Sequence, residues 1–188
     1  MENREQNNAA DLRWFAMRAT FRREMTVKHL LDDRQVENYI PMQEVIKVSR
    51  GRRVKLKEPA IHNLIFVRWQ KDAIQEFKSR VPFLQYMTRR ENNRSLPITV
   101  SDKEMTAFIR VSSDESLNPE YYDSDEFLKT LPTGARVRIH GGVLDGVEGS
   151  YVKIKGRRNR RVVVSVSNVA SVATAMVRPE MIEVISGI

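Results

Sequence analysis

The alternation of apolar and polar side chains divides the first hundred residues into short strands. Residues 13–19, Arg-Trp-Phe-Ala-Met-Arg-Ala, are predicted to form a first strand, and residues 64–67 form a short apolar run that favours a central strand. Residues 45–56 alternate apolar and basic side chains around Gly51, which predicts a β-hairpin with a positively charged tip. A short extended segment over 38–42 and a strand near 84–88 complete this set.

Three helices are predicted between these strands. The first covers residues 22–33 with Met25, Leu30 and Leu31 among its buried positions, and the second covers about 71–78. The third begins at the capping box formed by Ser101 and Glu104 and runs to about residue 110. This order of strands and helices indicates an α+β sandwich with a mixed or antiparallel sheet.

The last third of the chain is predicted to be all strand. Five short strands separated by turn residues favour a small closed β-barrel, because closure removes exposed strand edges. Gly142, Gly146 and Gly149 mark turns or close backbone approaches in this region. The predicted strands cover residues 136–140, 148–154, 161–166, 173–177 and 180–184.

Charge divides the chain into two basic blocks. Residues 11–111 carry 21 basic and 12 acidic residues, a net charge of +9, and residues 130–188 carry nine and four, a net charge of +5. Between them, residues 112–129 carry one lysine and six acids, which predicts a mobile acidic linker that a protease would cut. We therefore predict two domains, 11–111 and 130–188, joined by the linker 112–129.

Composition excludes several classes of function. There is no cysteine, so disulfides and thiolate chemistry are absent, and the N-terminal residues lack the apolar core of a signal peptide. The longest uncharged run, residues 162–177, is too short and too polar to span a bilayer, so a cytoplasmic protein without membrane contact is expected. The histidines His29, His62 and His140 have no metal-ligand spacing, and we expect no metal, no cofactor and no catalytic residue.

The three barrel glycines do not form a phosphate-binding loop. Such a loop needs a lysine and then a serine or threonine after its last glycine, whereas Gly149 is followed by Ser150 and Tyr151. Barrel turns are therefore the favoured interpretation, and the protein is not expected to be an enzyme.

Clusters of basic residues are the positive functional signal. Any single cluster is equally well explained as a solvated strand edge. Several clusters, two of them at predicted hairpin tips, favour contact with a nucleic-acid backbone rather than base readout, because aromatic residues are sparse nearby. The candidate contacts are Arg22, Arg23, Arg50, Arg52, Arg53 and Lys55, and a further cluster covers residues 157–161.

Several motifs together resemble a known family. Residues 133–154 resemble the KOW motif of small SH3-like barrels, with Gly142, Gly146 and Gly149 as its turn residues. From residue 12 onward the chain resembles the NusG family of transcription elongation factors, most closely its UpxY-type and RfaH-like specialised antiterminators. The motifs that carry this resemblance are Arg13-Trp-Phe-Ala-Met-Arg, Tyr39-Ile-Pro-Met, Glu58-Pro-Ala-Ile-His-Asn-Leu-Ile-Phe-Val and Val100-Ser-Asp-Lys-Glu-Met.

The resemblance implies an N-terminal NGN domain that binds the clamp helices of the RNA polymerase β′ subunit. The polymerase-binding face would include Trp14, Phe15, Ile61, Leu64 and Phe66. Neighbouring strand residues point to opposite faces, so Trp14 and Phe15 cannot both enter one core. Where many relatives have Pro-Gly-Tyr, this chain has His62-Asn63-Leu64 and lacks the aromatic ring.

The resemblance also implies partners for the second domain. In NusG the KOW barrel recruits Rho or a ribosomal protein through an aromatic residue after the third barrel strand, and residues 166–169 have no aromatic here. We therefore expect a monomeric antiterminator, acting on a polysaccharide (capsule) operon, that contacts non-template DNA or nascent RNA and binds a further factor through the barrel. The alternatives are a general NusG-type elongation or termination factor and a ribosome-associated RNA-binding KOW protein.

Overall fold

The computed structural model describes residues 12–49, 51–117, 119–123, 134–153, 160–166, 169–173, 177 and 179–186. The chain divides into two compact units, Met1–Asp102 and Lys103–Ile188. The fold is mixed α/β, and every described pair of strands is antiparallel. Across these described residues, no helix combines the length and apolar character that crossing a lipid bilayer requires.

The first unit contains nine strands and two complete helices among its described residues. The strands are β1 Arg13–Ala19, β2 Glu37–Tyr39, β3 Met42–Ser49, β4 Arg52–Pro59, β5 Leu64–Trp69, β6 Leu84–Tyr86, β7 Thr88–Glu91, β8 Arg94–Pro97 and β9 Thr99–Val100. The helices are α1 Glu24–Asp32 and α2 Lys71–Arg80, and a third helix, α3 Asp102–Ser112, begins where this unit ends.

A central sheet organises the first unit. Its strand order is β2-β5-β1-β6, and β9 pairs with the start of β1, where Trp14 lies opposite Val100. The strand predicted over Arg13–Ala19 is confirmed. The predicted central strand is also confirmed, and it continues to Trp69. Both faces of β1 and β5 are apolar and buried over residues 14–17 and 64–67.

One face of this sheet packs against the two helices. Phe15, Met17, Ile65 and Val67 form a hydrophobic cluster with apolar residues of α1 and α2. Each helix places an amphipathic stripe on the sheet, because residues three or four positions apart lie on the same side of a helix. The helix residues in this cluster are Val27, Leu31, Ile74 and Phe77.

Helix α1 begins two residues later than predicted, at Glu24. The reason is local, since Phe21 and Arg22 have φ angles of 61° and 54° and so lie in the left-handed region. Of the three residues predicted to be buried in this helix, Leu31 is fully buried and Met25 and Leu30 are half-buried. Val27 occupies the other fully buried position on the same stripe.

Two hairpins extend the first unit as separate two-stranded sheets. The first pairs β3 with β4 over eight residues each, and it confirms the predicted basic hairpin. The second pairs β7 with β8 around Asn92 and Asn93, whose φ angles are 48° and 59°. No alternation of apolar residues marks this second hairpin in the sequence, because its strands are mostly polar.

The second unit contains most of α3 and a six-stranded sheet. The strand order is β10-β14-β13-β12-β11-β15. Short 3-10 helices cover Glu115–Leu117, Gly142–Leu144 and Pro179–Met181. The strands are β10 Glu120–Asp123, β11 Ala135–Ile139, β12 Glu148–Lys153, β13 Arg160–Val166, β14 Ala170–Ala173 and β15 Ile182–Ser186.

Valines supply much of the buried core of this second sheet. Val137, Val152 and Val164 are buried, and β-branched side chains pack well on a pleated surface. Helix α3 is tied to the sheet region at two points. Arg110 donates a hydrogen bond to the carbonyl oxygen of Asp145 at 2.7 Å, and the Lys103 ammonium lies 3.1 Å from a Glu148 carboxylate oxygen.

The second unit differs from the sequence expectation in three places. Strand β10, Glu120–Asp123, lies inside the segment 112–129 that was predicted to be a linker, and it pairs with β14. Strand β14 begins at Ala170, three residues before the predicted start at 173, because a run of small residues carries little apolar alternation; residues 174–176 of the predicted strand lie outside the described residues. The chain over Pro179–Met181 is a 3-10 helix, so the last strand begins at Ile182. The domain boundaries themselves stay predictions.

Candidate functional site

An apolar surface of the central sheet carries three of the five residues predicted to bind polymerase. Trp14 on β1 and Leu64 and Phe66 on β5 share one face, because Phe66 lies opposite Ala16 and Leu64 lies opposite Arg18. Ile61 is in the loop that precedes β5. All four side chains are buried in the structure. We call this set the β1–β5 apolar face.

Phe15 does not belong to that face. It lies opposite Val67 in the strand register and packs in the cluster formed with the helices. Its ring centroid is 5.6 Å from that of Tyr86. Because strand neighbours point to opposite sides of a sheet, a single surface cannot present both Trp14 and Phe15. The grouping of all five residues on one face is therefore corrected for Phe15.

The predicted contacts Arg22 and Arg23 lie in the turn between β1 and α1. The backbone amide of Arg22 donates a hydrogen bond to Asn63 Oδ1 at 2.8 Å, so the turn is tied to the loop before β5. The Arg23 guanidinium stacks 4.8 Å from the centre of the Phe83 ring. Both arginines are exposed, and this geometry holds them at the same edge of the first unit.

The same turn exposes an aromatic ring that the sequence analysis did not identify. Phe21 is 83% exposed, and its φ angle of 61° is rare for a residue with a side chain. Asn63 also has a positive φ angle, 62°. Strained backbone of this kind persists where surrounding contacts hold it, and it is concentrated at functional sites. No sequence pattern predicts that Phe21 is exposed in this turn, because bulky residues seldom adopt a positive φ angle.

A buried carboxylate lies beneath this turn. Glu24, the first residue of α1, is 2% exposed, and its Oε1 atom is 3.9 Å from Nδ1 of His62. Its Oε2 atom has no hydrogen-bond partner among the described residues. Burying a carboxylate costs free energy, so the contact with His62 helps to stabilise the buried side chain of Glu24. His62, predicted to be an ordinary half-buried or surface residue, is exposed.

The β3–β4 hairpin carries the remaining predicted nucleic-acid contacts. Arg52 and Arg53 begin β4 next to the tip, are exposed and have no ion-pair partner among the described residues. Lys55 is partly neutralised, because its ammonium lies 3.1 Å from a Glu44 carboxylate oxygen. Lys47 pairs with Glu58 on the other face. Arg50 lies outside the described residues.

The hairpin also exposes apolar side chains. Ile46 is 64% exposed and Val48 is 72% exposed, and both lie on the face that carries Arg53 and Lys55. Val54 and Leu56 are exposed on the opposite face. Each face of the hairpin therefore carries both apolar and charged residues. The exposed apolar residues come from β3 on one face and from β4 on the other.

The basic cluster over 157–161 is only partly described, since residues 157–159 lie outside the described residues. Arg161 is largely buried, and its guanidinium is 3.3 Å from the Glu120 carboxylate. This residue therefore joins strands of the second sheet.

The three glycines assigned to the KOW turn have different roles in the structure. Gly142 and Gly146 have φ angles of 67° and 78°, which favour glycine. Gly149 has no such angle and lies within β12, where an added Cβ would be 2.6 Å from the carbonyl oxygen of Val163. Its glycine is therefore required by the close approach of β12 and β13. All three positions serve backbone geometry.

A network of charges connects β11, β12, β15 and α3 in the second unit. Glu148 accepts hydrogen bonds from Arg138 at 2.9 Å and from Lys103 at 3.1 Å, and these lower the pKa of Glu148 to about 2. A hydrogen bond with His140 at 2.9 Å lowers the pKa of Glu183. Within the described part of the chain, no three His, Cys, Asp or Glu residues form a group able to hold a metal ion.

The described residues of the first unit therefore combine positively charged exposed hairpins with an apolar sheet face. A family model described as "Transcription termination factor nusG" matches residues 12–109, which is more than half of the chain. The chain belongs to the NusG family of transcription factors. The family predicted from the sequence motifs is confirmed at this level.

Two solved structures are similar to the chain at low identity. One, described as "Domain interaction in Thermotoga maritima NusG", is 17% identical, with 95% of this chain and 99% of that chain covered and a TM-score of 0.47. The other, an MjSpt4:Spt5 complex in conformation B, is 13% identical, with 93% and 97% covered and a TM-score of 0.27. A search of curated protein sequences finds no match.

Proposed function

We propose that the chain is a transcription elongation and antitermination factor that binds the β′ clamp helices of RNA polymerase and promotes processive transcription. The observation that carries this proposal is the family match over residues 12–109, which includes the β1–β5 apolar face and the basic β3–β4 hairpin. We further propose that it is a specialised factor acting on a polysaccharide operon, because the motifs around Trp14 and Ile61 are most similar to those of UpxY-type proteins.

The β1–β5 apolar face is the proposed polymerase contact. Trp14, Leu64 and Phe66 share this face in the strand register, and Ile61 lies in the adjoining loop. Large apolar side chains at the centre of an interface contribute most of its affinity. Since the face is buried in the structure, binding requires that the side chains covering it move aside.

Nucleic acid next to the polymerase is the proposed second partner of the first unit. Arg22, Arg23, Arg52 and Arg53 are exposed, and guanidinium groups match phosphate oxygens with two hydrogen bonds. Lys55 and Arg50 belong to the same proposed surface, with Lys55 weakened by its pairing with Glu44. The partner is non-template DNA or nascent RNA.

The second unit is the proposed SH3-like KOW barrel. Strands β11 to β15 belong to one antiparallel sheet, and Gly142 and Gly146 occupy left-handed turns between β11 and β12. The region after β13 has no aromatic residue, so we propose that this domain binds a factor other than Rho. The boundaries 11–111, 112–129 and 130–188 remain part of this proposal.

Two variants on opposite faces of β5 test the polymerase contact. Leu64→Ala removes a side chain of the apolar face, and Ile65→Ala removes one from the helix-packed core. Both side chains are buried, so each change is expected to lower stability by about 2–5 kcal/mol. The measurement is affinity for a purified β′ clamp-helix fragment, made at a temperature where circular dichroism shows both variants folded.

Only Leu64→Ala is expected to weaken binding to the clamp helices. Equal losses in the two variants would mean that binding reports stability alone, and the face would be rejected as the contact. A wild-type chain that binds ribosomes but not the clamp helices would favour a ribosome-associated protein. Termination instead of read-through on a reconstituted template would favour a general NusG-type factor.

A further inference from the structure

The β7–β8 hairpin has a charge distribution that the family match does not explain. It consists of two four-residue strands, Thr88–Glu91 and Arg94–Pro97, joined by Asn92 and Asn93. All of its residues except Pro97 are exposed. The hairpin carries three arginines and one carboxylate, so it has a net positive charge.

Two of these arginines are free to bind a partner. Arg89 is paired with Glu91, whose carboxylate lies 3.4 Å from its guanidinium. The guanidinium groups of Arg90 and Arg94 have no hydrogen-bond or ion-pair partner among the described residues. The single acid of the hairpin is therefore neutralised within the hairpin itself.

The two free arginines point to opposite faces of the ribbon. Arg90 lies directly opposite Ser95, and Arg94 lies directly opposite Glu91. Directly opposed residues share a face, and strand neighbours alternate, so the Arg90 face and the Arg94 face are different. Thr88 and Ser95 add hydroxyl groups to the Arg90 face.

The hairpin lacks the features of a protein-binding surface. Leu96 is the one exposed large apolar residue among the described residues of this hairpin. The β3–β4 hairpin exposes four such residues. Protein interfaces are anchored by buried aromatic and apolar side chains and are depleted in serine. Arginine, serine, threonine and asparagine are the side chains that contact nucleic-acid phosphates and sugars.

We propose that the β7–β8 hairpin inserts into the major groove of duplex DNA, with Arg90 and Arg94 each contacting the phosphates of a different strand. The major groove is about 12 Å wide and about 8.5 Å deep and admits a two-stranded β-ribbon. Four strand residues rise about 10 Å, so the ribbon reaches the groove floor. Asn92 and Asn93 at the tip then face the base edges with polar amides.

This geometry distinguishes duplex DNA from other nucleic acids. The major groove of A-form RNA is too narrow for side chains to enter, and a single strand offers no second wall for the opposite arginine. This proposal rests on the proposed nucleic-acid partner of the protein and specifies that partner as B-form duplex DNA. It concerns a different hairpin from the proposed contacts Arg50, Arg52 and Arg53.

The test measures the affinity of the full chain for three nucleic acids of one sequence, each across a salt series. They are a DNA duplex of about 20 base pairs, one of its single strands, and an RNA duplex. The double variant Arg90→Ala and Arg94→Ala is compared with Arg34→Ala and Arg80→Ala. This control removes the same charge from Arg34, which follows α1 and donates a hydrogen bond to the Leu30 carbonyl oxygen, and from Arg80, which pairs with Glu76 in α2. Both pairs are exposed, so both variants are expected to melt like the wild type.

For duplex DNA, the hairpin variant should reduce the logarithmic salt slope by about 0.9 for each lost phosphate contact. Its affinity at low salt should fall roughly tenfold or more, since hydrogen bonds to charged groups are strong. The control should change neither quantity by more than about twofold. Lysine at both positions should restore the slope but only part of the affinity, because lysine lacks the fork of donors.

Equal losses on single-stranded DNA or RNA duplex, or an equal loss in the control, would overturn the groove proposal. Binding to the clamp helices separates this proposal from the proposed function. A chain that binds clamp helices but shows no hairpin-dependent binding to duplex DNA refutes the groove insertion alone. A chain that shows hairpin-dependent duplex binding but no clamp-helix binding refutes the proposed polymerase contact alone.

Discussion

The central sheet and the two hairpins of the first unit use similar strand residues for different purposes. Strand β5 has four successive apolar residues, Leu64 to Val67, and all are buried between neighbouring strands and packed faces. Strand β3 also alternates apolar residues, yet Ile46 and Val48 are 64% and 72% exposed. The difference arises from packing, because helix residues cover Ile65 and Val67 of β5, whereas β3 belongs to a separate two-stranded sheet.

This contrast separates residues that stabilise the fold from residues that are available to a partner. A two-stranded hairpin is at most marginally stable alone and covers neither of its faces. Its apolar and basic side chains therefore contribute little to folding and remain accessible. The central sheet, in contrast, gains stability from every apolar residue that its two faces bury.

The largest expected effect is the loss of a central side chain. Phe66 is fully buried on β5, so Phe66→Ala should lower the free energy of unfolding by about 3–5 kcal/mol through lost burial and a residual cavity. Ile46→Ala on the exposed hairpin should cost about 1 kcal/mol or less. Urea unfolding of both variants measures this. Similar losses at the two positions would show that the hairpin is packed in solution.

The next effect concerns binding instead of stability. Changing Arg50, Arg52 and Arg53 to Ala should weaken binding to a polymerase elongation complex strongly at low salt and little at high salt. Each lost phosphate contact should reduce the logarithmic salt slope by about 0.7 for a single strand or about 0.9 for a duplex. The melting temperature should hardly change, because Arg52 and Arg53 are exposed.

A second complex provides the control for this binding prediction. Affinity is measured for elongation complexes with and without an exposed non-template strand. Loss of affinity confined to the complex with the exposed strand is the expected result. Equal losses in both complexes would assign the β3–β4 tip to a protein partner, and its exposed apolar residues would then be the anchors.

The smallest expected effect is on the pH dependence of stability. The comparison is between an ion pair of the second unit and an ion pair of the β3–β4 hairpin. The folded-state pKa of Glu148 is lowered to about 2 by hydrogen bonds from Arg138 and Lys103. Its charged form therefore stabilises the fold above the ordinary carboxyl pKa near 4.5, and this contribution is lost as the pH falls toward 2. Glu148→Gln should be less stable than the wild type at pH 7 and equally stable near pH 2.

The hairpin provides the matched control for this charge. Glu44, paired with the Lys55 ammonium, has a 40% exposed side chain, whereas that of Glu148 is 12% exposed. Glu44→Gln should change stability at pH 7 by about 0.5 kcal/mol or less, since exposed pairs contribute little. Urea unfolding from pH 2 to pH 7 checks both variants. A gap between wild type and Glu148→Gln that persists at pH 2 would contradict the assigned cause.

The strands of the central sheet could be predicted from the sequence because burial on both faces leaves a strong pattern. The bounds of β1 agree with the prediction, and the apolar run 64–67 located β5. The start of strand β14 was predicted three residues late, since the small residues from Ala170 onward carry almost no apolar contrast. Strand β10 was missed because its acidic composition, Glu120 to Asp123, is typical of a linker.

The candidate contacts were predictable by residue type but not by face. The family resemblance assigned both Trp14 and Phe15 to the polymerase-binding face, and only the register shows which one shares a face with Phe66. The exposure of Phe21 and the burial of Glu24 depend on the backbone conformation of one turn, which the periodicity of the sequence does not predict. The Asn92-Asn93 pair is a turn signal that, with Arg90 and Arg94 beside it, would have located the second hairpin.

The β3–β4 hairpin also has a consequence for solubility. Each of its strands leaves one edge unpaired among the described residues, and an open edge with exposed Ile46 and Val48 is a template for pairing with another copy. Arg52 and Arg53 near the tip, which are exposed, oppose such pairing by like-charge repulsion. Neutralising these arginines by substitution therefore removes a barrier to aggregation as well as a proposed contact with phosphate.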